Sequence, residues 1–495
     1  MGYSRSITPP AKAYLLVYLS NTGPRVLSLL VAALRDSKSR RDAPLRLWFI
    51  LRQAAAWDRL PAVCAVLVAG STILQRPLHI ISAMLINRLR GRHSPVDTKM
   101  LNRMVRFVAA LVAAALAFQL LNHRPSEPLK THAQLQQSIP SDADVERQAQ
   151  EMRIPRLPPQ PMSSEPLLQS AGPLAGRSID LTLFAVVRAL DVLISPLISS
   201  HPSRFKDAIS TFTPPFLFWL SSATIMHAWF YSPYRLPRTY NAWISSAANL
   251  DSRLLSALRH ARYGTFVYGK DTGLAPLLTS MCKDHNWPEI WGDPAKTIPV
   301  PCEMVHQGCG PSCEKHALWR FYNGWLFAAK MYIPLQLLVE LKRLHRSAPT
   351  RKQQLSAALR ALVDASRNSA FLAAFVALFY YGVCLSRTRL GPRLFSTKTV
   401  TPQMWDSGLC VAAGCALCGW SVLLEKARRR TEIVFFVLPR ALAVWFPRRY
   451  LRENRWREHV AFAVSVAVVF AAVQERPERV RGVFGRVLGD VLKTG

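Results

Sequence analysis

The chain has 495 residues, half of them hydrophobic, which is long enough for two domains. Lysine and arginine number 63 against 30 acidic residues, and in a soluble protein the resulting net charge of +33 would suggest nucleic-acid binding. No nucleic-acid motif accompanies this charge, and the nine cysteines are too dispersed for a secreted disulfide scaffold, so the composition argues against both classes.

Apolar runs begin near the N-terminus. The first, 14–34, contains Pro24 and Arg25, and we interpret it as an interfacial or buried helix. Later runs have lengths that suit short membrane spans, and basic residues beside them favour contact with anionic lipid head groups. The candidate spans of the first half are 60–74, 107–121, 179–198 and 216–231.

A different kind of sequence interrupts these spans at 122–176. It is rich in proline, glutamine and serine and poor in large apolar residues. Such a segment cannot bury a core, so we predict a disordered linker. The linker lies within a first membrane repeat, 11–232.

The polar segment 233–328 follows and is rich in cysteine and histidine towards its end. Thiols and imidazoles are the ligands that zinc prefers, although the spacing here is not that of a zinc finger or ribbon. We predict that Cys302, His306, Cys309 and Cys313 converge on zinc, with His316 as the alternative fourth ligand. A disulfide between Cys302 and Cys313, a further thiol from Cys282, and free thiols at the membrane edge remain alternatives at this stage.

A second membrane repeat is predicted at 329–474, followed by a basic amphipathic tail at 475–495 that would lie on the bilayer surface. Small residues recur every fourth position in this repeat and again at Ala109, Ala113 and Ala117, which predicts close helix packing. The candidate spans of the second half are 371–385, 408–424, 433–446 and 460–473.

The two repeats share a pattern. R-x-x-D/E-x7-R-A-L occurs from Arg177 and again from Arg429, and weaker matches upstream keep the same order. We interpret this as a tandem duplication of a four-helix unit with both copies in one orientation; the alternative is chance similarity between helices rich in alanine and leucine. The predicted fold class is therefore an all-α, polytopic membrane helical bundle with about eight spans and additional interfacial helices.

The shared pattern places Arg188 and Arg440 at equivalent points inside two spans, where an unpaired guanidinium is costly. Both are therefore expected to face the bundle interior. They would either line a polar passage or act as interhelical clamps, with Asp191, Asp180 and Glu432 as the available carboxylate partners. No catalytic motif accompanies these residues, which predicts a protein that is not an enzyme.

Two stretches resemble the transmembrane protein 135 family. One is PCEMVHQGCGPSCEKH, followed by a helix with Tyr332 and Pro334, and the other is GCALCGWSVLLEKARRRTEIVFFVLPRALAVWF. The resemblance implies a membrane protein of peroxisomes or, alternatively, of mitochondria. It also implies distant kinship with the mitochondrial inner-membrane translocase family, whose unit is a four-span bundle.

On these grounds we predict a non-enzymatic organelle membrane protein that acts in peroxisomal or mitochondrial organisation, or in passage of lipid or protein across the membrane. Its expected partners are the bilayer, anionic lipids and other membrane proteins or further copies of itself. The alternatives are a metal-regulated solute transporter and a lipid-modifying membrane enzyme.

Overall fold

The computed structural model describes residues 4–35, 37–90, 98–123, 174–199, 203–347, 351–446, 448 and 450–492. Most of these residues lie in helices, which confirms the predicted all-α class. Within the described ranges the only strands are β1 (Leu174–Ala175) and β2 (Tyr450–Leu451), which pair antiparallel. The predicted linker lies outside the described residues except at its two ends.

The described helices are numbered in chain order. The first seven are α1 (Ser4–Arg35), α2 (Ser37–Ala55), α3 (Leu60–Ile73), α4 (Gln75–Arg90), α5 (Thr98–Leu121), α6 (Ile179–Ser199) and α7 (Ser203–Tyr231). The next six are α8 (Arg238–Ala248), α9 (Ser252–Arg262), α10 (Ala275–Asp284), α11 (Cys302–His306), α12 (Cys313–Ser347) and α13 (Arg351–Cys384). The last six are α14 (Gly391–Leu394), α15 (Pro402–Met404), α16 (Cys410–Cys418), α17 (Ala427–Trp445), α18 (Arg455–Glu475) and α19 (Gly482–Leu492).

Contacts divide the described helices into two units. The first unit contains α1 to α6 together with α18 and α19, and the second contains α8 to α17 and most of α7. Helix α18, which lies in the predicted second repeat, packs against α5 and α6. The predicted domain boundaries and the tandem duplication stay predictions.

The first unit is built around α5 and α18. The alanine stripe of α5 is fully buried, with Ala109, Ala113 and Ala117 at 0% exposure, as the spacing of small residues predicts. This stripe lets α3 approach so closely that a Cβ added to Gly70 would lie 2.7 Å from the Cβ of Ala113. The larger apolar side chains of α18, such as Phe470, fill the other side of the core.

The second unit is built around α13, which packs against α12 and α16. Two glycines allow the crossing with α16, since a Cβ added to Gly382 would lie 2.9 Å from the Cα of Gly414. The short helices α9, α10 and α11 of the polar segment share the core of these long helices, and Leu278, Met281 and Met304 are fully buried in it. The cysteine-rich end of this segment is therefore held against packed helices.

Six helical segments among the described residues are long and apolar enough to cross a membrane, which indicates a membrane protein. They are Pro9–Leu34, Arg40–Leu85, Thr98–Leu121, Lys352–Leu394, Pro402–Leu424 and Arg452–Glu475. Five of these contain a predicted span, whereas Pro9–Leu34 covers the run that was interpreted as interfacial or buried.

The remaining predicted spans, 179–198, 216–231 and 433–446, form helices but are not among these six segments, so the count of about eight spans is not confirmed. Helix α6 carries three charged residues, Asp180, Arg188 and Asp191, within its apolar sequence. The predicted amphipathic tail does form a helix, α19, and its Leu488 and Val491 pack into the core of the first unit.

Candidate metal centre

A tight reversal between α11 and α12 brings the ends of the cysteine-rich stretch together. Cys302 and His306 lie one turn apart on the same face of α11. Gly308 and Gly310 then adopt left-handed backbone conformations, with φ of 85° and 93°, that suit glycine and turn the chain back. Cys313, the first residue of α12, is thereby placed beside Cys302.

The fourth member of the group, Cys384, comes from the far end of the next helix. Helices α12 and α13 have 35 and 34 residues and pack along one another. Because the rise per residue is the same in both, the end of α13 returns to the level at which α12 began. We refer to Cys302, His306, Cys313 and Cys384 as the Cys/His cluster.

The ligand atoms of the Cys/His cluster lie within 4.8 Å of one another, and the group could hold a metal ion. The Sγ atom of Cys302 is 3.9 Å from Sγ of Cys313, 3.7 Å from Sγ of Cys384 and 3.4 Å from Nε2 of His306. Nε2 of His306 is 3.5 Å from Sγ of Cys384. His306 and Cys384 are fully buried, and Cys313 is 4% exposed.

Hydrogen bonding orients the histidine of the cluster towards the sulfur atoms. Nδ1 of His306 lies 2.7 Å from the carbonyl oxygen of Gly310 and donates its proton to it. Nε2 faces the thiols, so a neutral ring with its proton on Nδ1 would present the Nε2 lone pair to a metal ion there. The turn that brings the ligands together therefore also fixes the orientation of the imidazole.

The cluster contains a thiol that ionises readily. A hydrogen bond from Cys384 and the neighbouring imidazole of His306 lower the pKa of Cys302 to about 4, although burial opposes the shift. Thiolate is the form in which cysteine binds metals. Cys302 therefore favours the charge state that metal binding requires.

The structure brings together three of the five predicted ligands and adds one that sequence reasoning missed. Cys309 lies beyond the cluster, on a groove that it shares with Trp319 and other aromatic residues of α12. His316 is buried with its ring 4.5 Å from that of His306, but its Nε2 accepts a hydrogen bond from Nε of Arg320 at 2.9 Å. Cys282 lies on α10, buried in the core of the second unit, and is not part of the cluster.

Cys384 is not among the ligands predicted from the sequence, because it lies inside the candidate span 371–385 and far from the other cysteines along the chain. The signal that could have identified it is the nearly equal length of the two helices that connect it to Cys313. After Cys384 the helix widens into a π-helical turn, Leu385–Arg389, in which the hydroxyl of Thr388 lies 3.9 Å from Sγ of Cys313. Such turns often occur at functional sites.

The predicted intramembrane arginine of the first unit, Arg188, is 5% exposed. It donates to the carbonyl of Arg481 at 3.0 Å and lies between the rings of Phe184 and Phe484. Its proposed partner Asp191 forms an ion pair with Arg481. The second proposed partner of the two arginines, Asp180, pairs with Arg448 at 2.8 Å.

The equivalent arginine of the second unit has different surroundings. Arg440 is half-buried, lies 3.7 Å from the ring centre of Phe436 and donates to the carbonyl of the same residue. Tyr240 covers the guanidinium from another helix at 5.3 Å, and Glu432 is half-buried two turns before Arg440. The two arginines thus share a sequence pattern without sharing an environment.

A buried ion pair that the sequence did not reveal follows the Cys/His cluster along the chain. Nε and Nη2 of Arg387 donate to the two carboxylate oxygens of Asp406 at 2.5 and 2.8 Å, and both side chains are about 5% exposed. Asp406 belongs to a second π-helical turn, Trp405–Leu409, and also accepts a hydrogen bond from Tyr268. Charges this deeply buried must be paired, and here the pairing joins two candidate spans.

Comparison of the chain with protein-family models, curated proteins and solved structures finds no match. Fold and site together define a class: an all-helical membrane protein in which a polar segment and a membrane-length helix together form a group of three thiols and one imidazole.

Proposed function

We propose that the Cys/His cluster binds a structural zinc ion that fastens the polar segment to α13. The observation that carries this proposal is the spacing of the ligand atoms. In a tetrahedral zinc site, two sulfur ligands lie about 3.8 Å apart, and a sulfur ligand and a nitrogen ligand lie about 3.6 Å apart. Four of the six separations, 3.7 and 3.9 Å between sulfur atoms and 3.4 and 3.5 Å between sulfur and nitrogen, match this arrangement, and all six are within 4.8 Å.

The donor set supports zinc over other metals. Soft thiolates with an imidazole select zinc, whereas calcium and magnesium require oxygen ligands. Four protein ligands complete the tetrahedron and leave no position for a water molecule or a substrate, which is the arrangement of a structural site. A disulfide between Cys302 and Cys313 fits less well, because their sulfur atoms are 3.9 Å apart and a disulfide bond measures about 2.05 Å.

Such an ion would contribute directly to folding. Three ligands belong to the reversal at 302–313 and one to the end of α13, so binding closes a loop across a helical hairpin. Zinc binding to small folded domains has apparent free energies of about 10 kcal/mol or more. Zinc would thus decide whether the polar segment stays docked on the membrane helix.

We further propose that the protein is an organelle membrane protein without enzymatic activity, acting in peroxisomal or mitochondrial organisation or in passage of lipid or protein. Support comes from the six membrane-length segments, from the family resemblance of the cysteine-rich stretch, and from a net charge of +33 suited to anionic lipids. A metal-regulated transporter is the second candidate, favoured by the position of Arg387 three residues after the ligand Cys384.

Metal analysis of the purified protein tests the zinc site. We expect one zinc per chain in the wild type and in Cys309→Ser, a matched control from the same stretch, and loss of zinc in Cys384→Ser. Absence of zinc from the wild type, or its retention in Cys384→Ser, would contradict the site.

The proposed cellular role needs a separate experiment. Purified protein in liposomes containing anionic lipid would be assayed for movement of fluorescent lipid and of small solutes, with and without a zinc chelator. Lipid movement independent of the chelator supports passage of lipid, and solute flux controlled by the chelator supports the metal-regulated transporter. Location follows from imaging the tagged chain against peroxisomal and mitochondrial markers.

A further inference from the structure

Arg320 on α12 is a buried cation with an unusual set of partners. Its side chain is 2% exposed, and all the acceptors it reaches are neutral. Nε donates to Nε2 of His316 at 2.9 Å, and Nη2 donates to the side-chain oxygen of Gln307 at 2.6 Å. Nη1 donates to the carbonyl oxygens of Ala248 and Asn249 at 3.1 and 2.9 Å.

Aromatic rings complete the surroundings of this guanidinium. The ring centre of Tyr380 lies 4.0 Å from Cζ of Arg320, and that of Trp319 lies 5.0 Å away. Within the described part of the chain no carboxylate lies within ion-pair distance of Arg320. The hydrogen bonds satisfy the donors, but burial of a full positive charge without a negative partner is costly.

The missing negative charge would come from the neighbouring Cys/His cluster once it holds zinc. A zinc ion contributes two positive charges, three thiolates contribute three negative charges, and a neutral histidine contributes none, so the loaded centre carries one negative charge. Without metal the cluster has no reason to hold three thiolates. The charge of Arg320 and that of the loaded centre therefore cancel.

The contacts place the two charges close together. Arg320 donates to His316, whose ring is 4.5 Å from the ring of His306. It also donates to Gln307, the residue after that ligand, and packs on Tyr380, one helical turn before Cys384. A single layer of side chains separates the guanidinium from the ligands.

We infer that Arg320 is the counter-charge of a metal centre with three thiolates, and that it strengthens binding of a divalent ion by that centre. The inference rests on the proposed zinc site and adds a charge state and a positioning residue to it. Two unit charges about 10 Å apart in a partly buried setting interact strongly enough to change a binding constant about tenfold. Arg320 also holds the ends of α8 and α11 by hydrogen bonds, so the test must separate the effect of its charge from the effect of these hydrogen bonds.

The experiment is a double-mutant cycle read out with Co2+, whose thiolate charge-transfer absorption reports binding directly. Cys302→His replaces one thiolate by an imidazole and makes the loaded centre neutral. Arg320→Gln removes the counter-charge. We expect R320Q to weaken Co2+ binding about tenfold with three thiolates present and less than about threefold in the C302H background.

Each outcome decides the inference. Equal losses from R320Q in both backgrounds, or no loss in either, would show that Arg320 is a clamp or a bystander and would overturn the inference while leaving the metal site intact. Failure of the wild type to bind Co2+ or zinc would overturn the proposed site together with the inference. If R320Q does not fold, Arg320→Lys carries the test: it keeps the charge, so a tenfold loss with unchanged helicity counts against the counter-charge.

Discussion

The two units fasten their non-helical segments by different chemistry. In the first unit the β1–β2 pair is held by Glu458, whose carboxylate accepts hydrogen bonds from Ser178 at 2.6 Å, from Thr182 at 3.0 Å and from Tyr450. In the second unit the reversal between α11 and α12 is held by the Cys/His cluster. The first arrangement is complete with protein atoms alone, whereas the second would be completed by the proposed metal ion.

This difference suggests that the stability of the second unit depends on a bound ion, whereas that of the first unit does not. The carboxylate of Glu458 finds three hydrogen-bond donors within the fold. Three thiols and an imidazole have weak mutual hydrogen bonds, and their strong interactions require a divalent ion. The second unit should therefore respond to chelators and oxidants, and the first should not.

Removal of the metal is expected to have the largest effect. Chelation, or Cys384→Ser, should lower the free energy of unfolding of the second unit by about 5 kcal/mol or more, because the binding energy of a structural metal is folding energy. Hydrogen exchange measured by mass spectrometry should show faster exchange at 302–316 and unchanged exchange in Arg455–Glu475 of the first unit. Equal responses of the two regions would remove the distinction between the units.

The second largest effect is expected from the buried ion pair of the second unit, compared with a more exposed pair in the first unit. Asp406→Asn should destabilise the second unit by about 3–5 kcal/mol, since it leaves the guanidinium of Arg387 buried without its partner. The matched change in the first unit, Asp180→Asn, breaks a pair with Arg448 whose side chains are 22% and 45% exposed. It should cost about 1 kcal/mol or less.

Urea unfolding in detergent, followed by tryptophan fluorescence, checks both changes. A loss for D180N as large as that for D406N would contradict the role of burial. The double variant R387M/D406L should recover much of the stability of the wild type, because a well-packed apolar pair replaces the ions without leaving a charge unpaired.

Disrupting the hydrogen bonds to Glu458 in the first unit should cause an intermediate loss of stability. Glu458→Ala should cost about 2–3 kcal/mol, because three donors lose their acceptor in a buried site. The loss should be the same with and without chelator. A chelator-dependent loss would mean that the metal stabilises the first unit as well.

Acid is expected to destabilise the second unit modestly, through a buried histidine. Burial lowers the pKa of His260, in the second unit, from 6.5 to about 4. The folded protein holds this histidine neutral, so its contribution is present at pH 7 and is lost as pH falls below 6.5, amounting to about 2 kcal/mol at pH 5. Thermal unfolding at pH 7 and pH 5 should show a smaller acid loss in His260→Asn than in the wild type, and equal losses would refute this assignment.

Much of the molecule could be predicted from short-range pattern. Apolar runs predicted the helices, and the every-fourth spacing of Ala109, Ala113 and Ala117 predicted a tightly packed face, which the structure buries completely. Ligand type identified three members of the Cys/His cluster, since Cys302, His306 and Cys313 lie close in sequence. These features depend on periodicities that any helix imposes on its own residues.

The fourth member of the cluster and the buried ion pair could be identified only from the tertiary structure, because they depend on the lengths of the helices and on how these helices pack. Cys384 replaces Cys309 in the cluster because two helices of 35 and 34 residues bring it back to the level of Cys313, whereas the left-handed turn directs Cys309 elsewhere. Arg387 and Asp406 meet only because two separate π-helical turns face each other. Residue type determined which groups could bind a metal or a charge, and helix length and packing decided which of them meet.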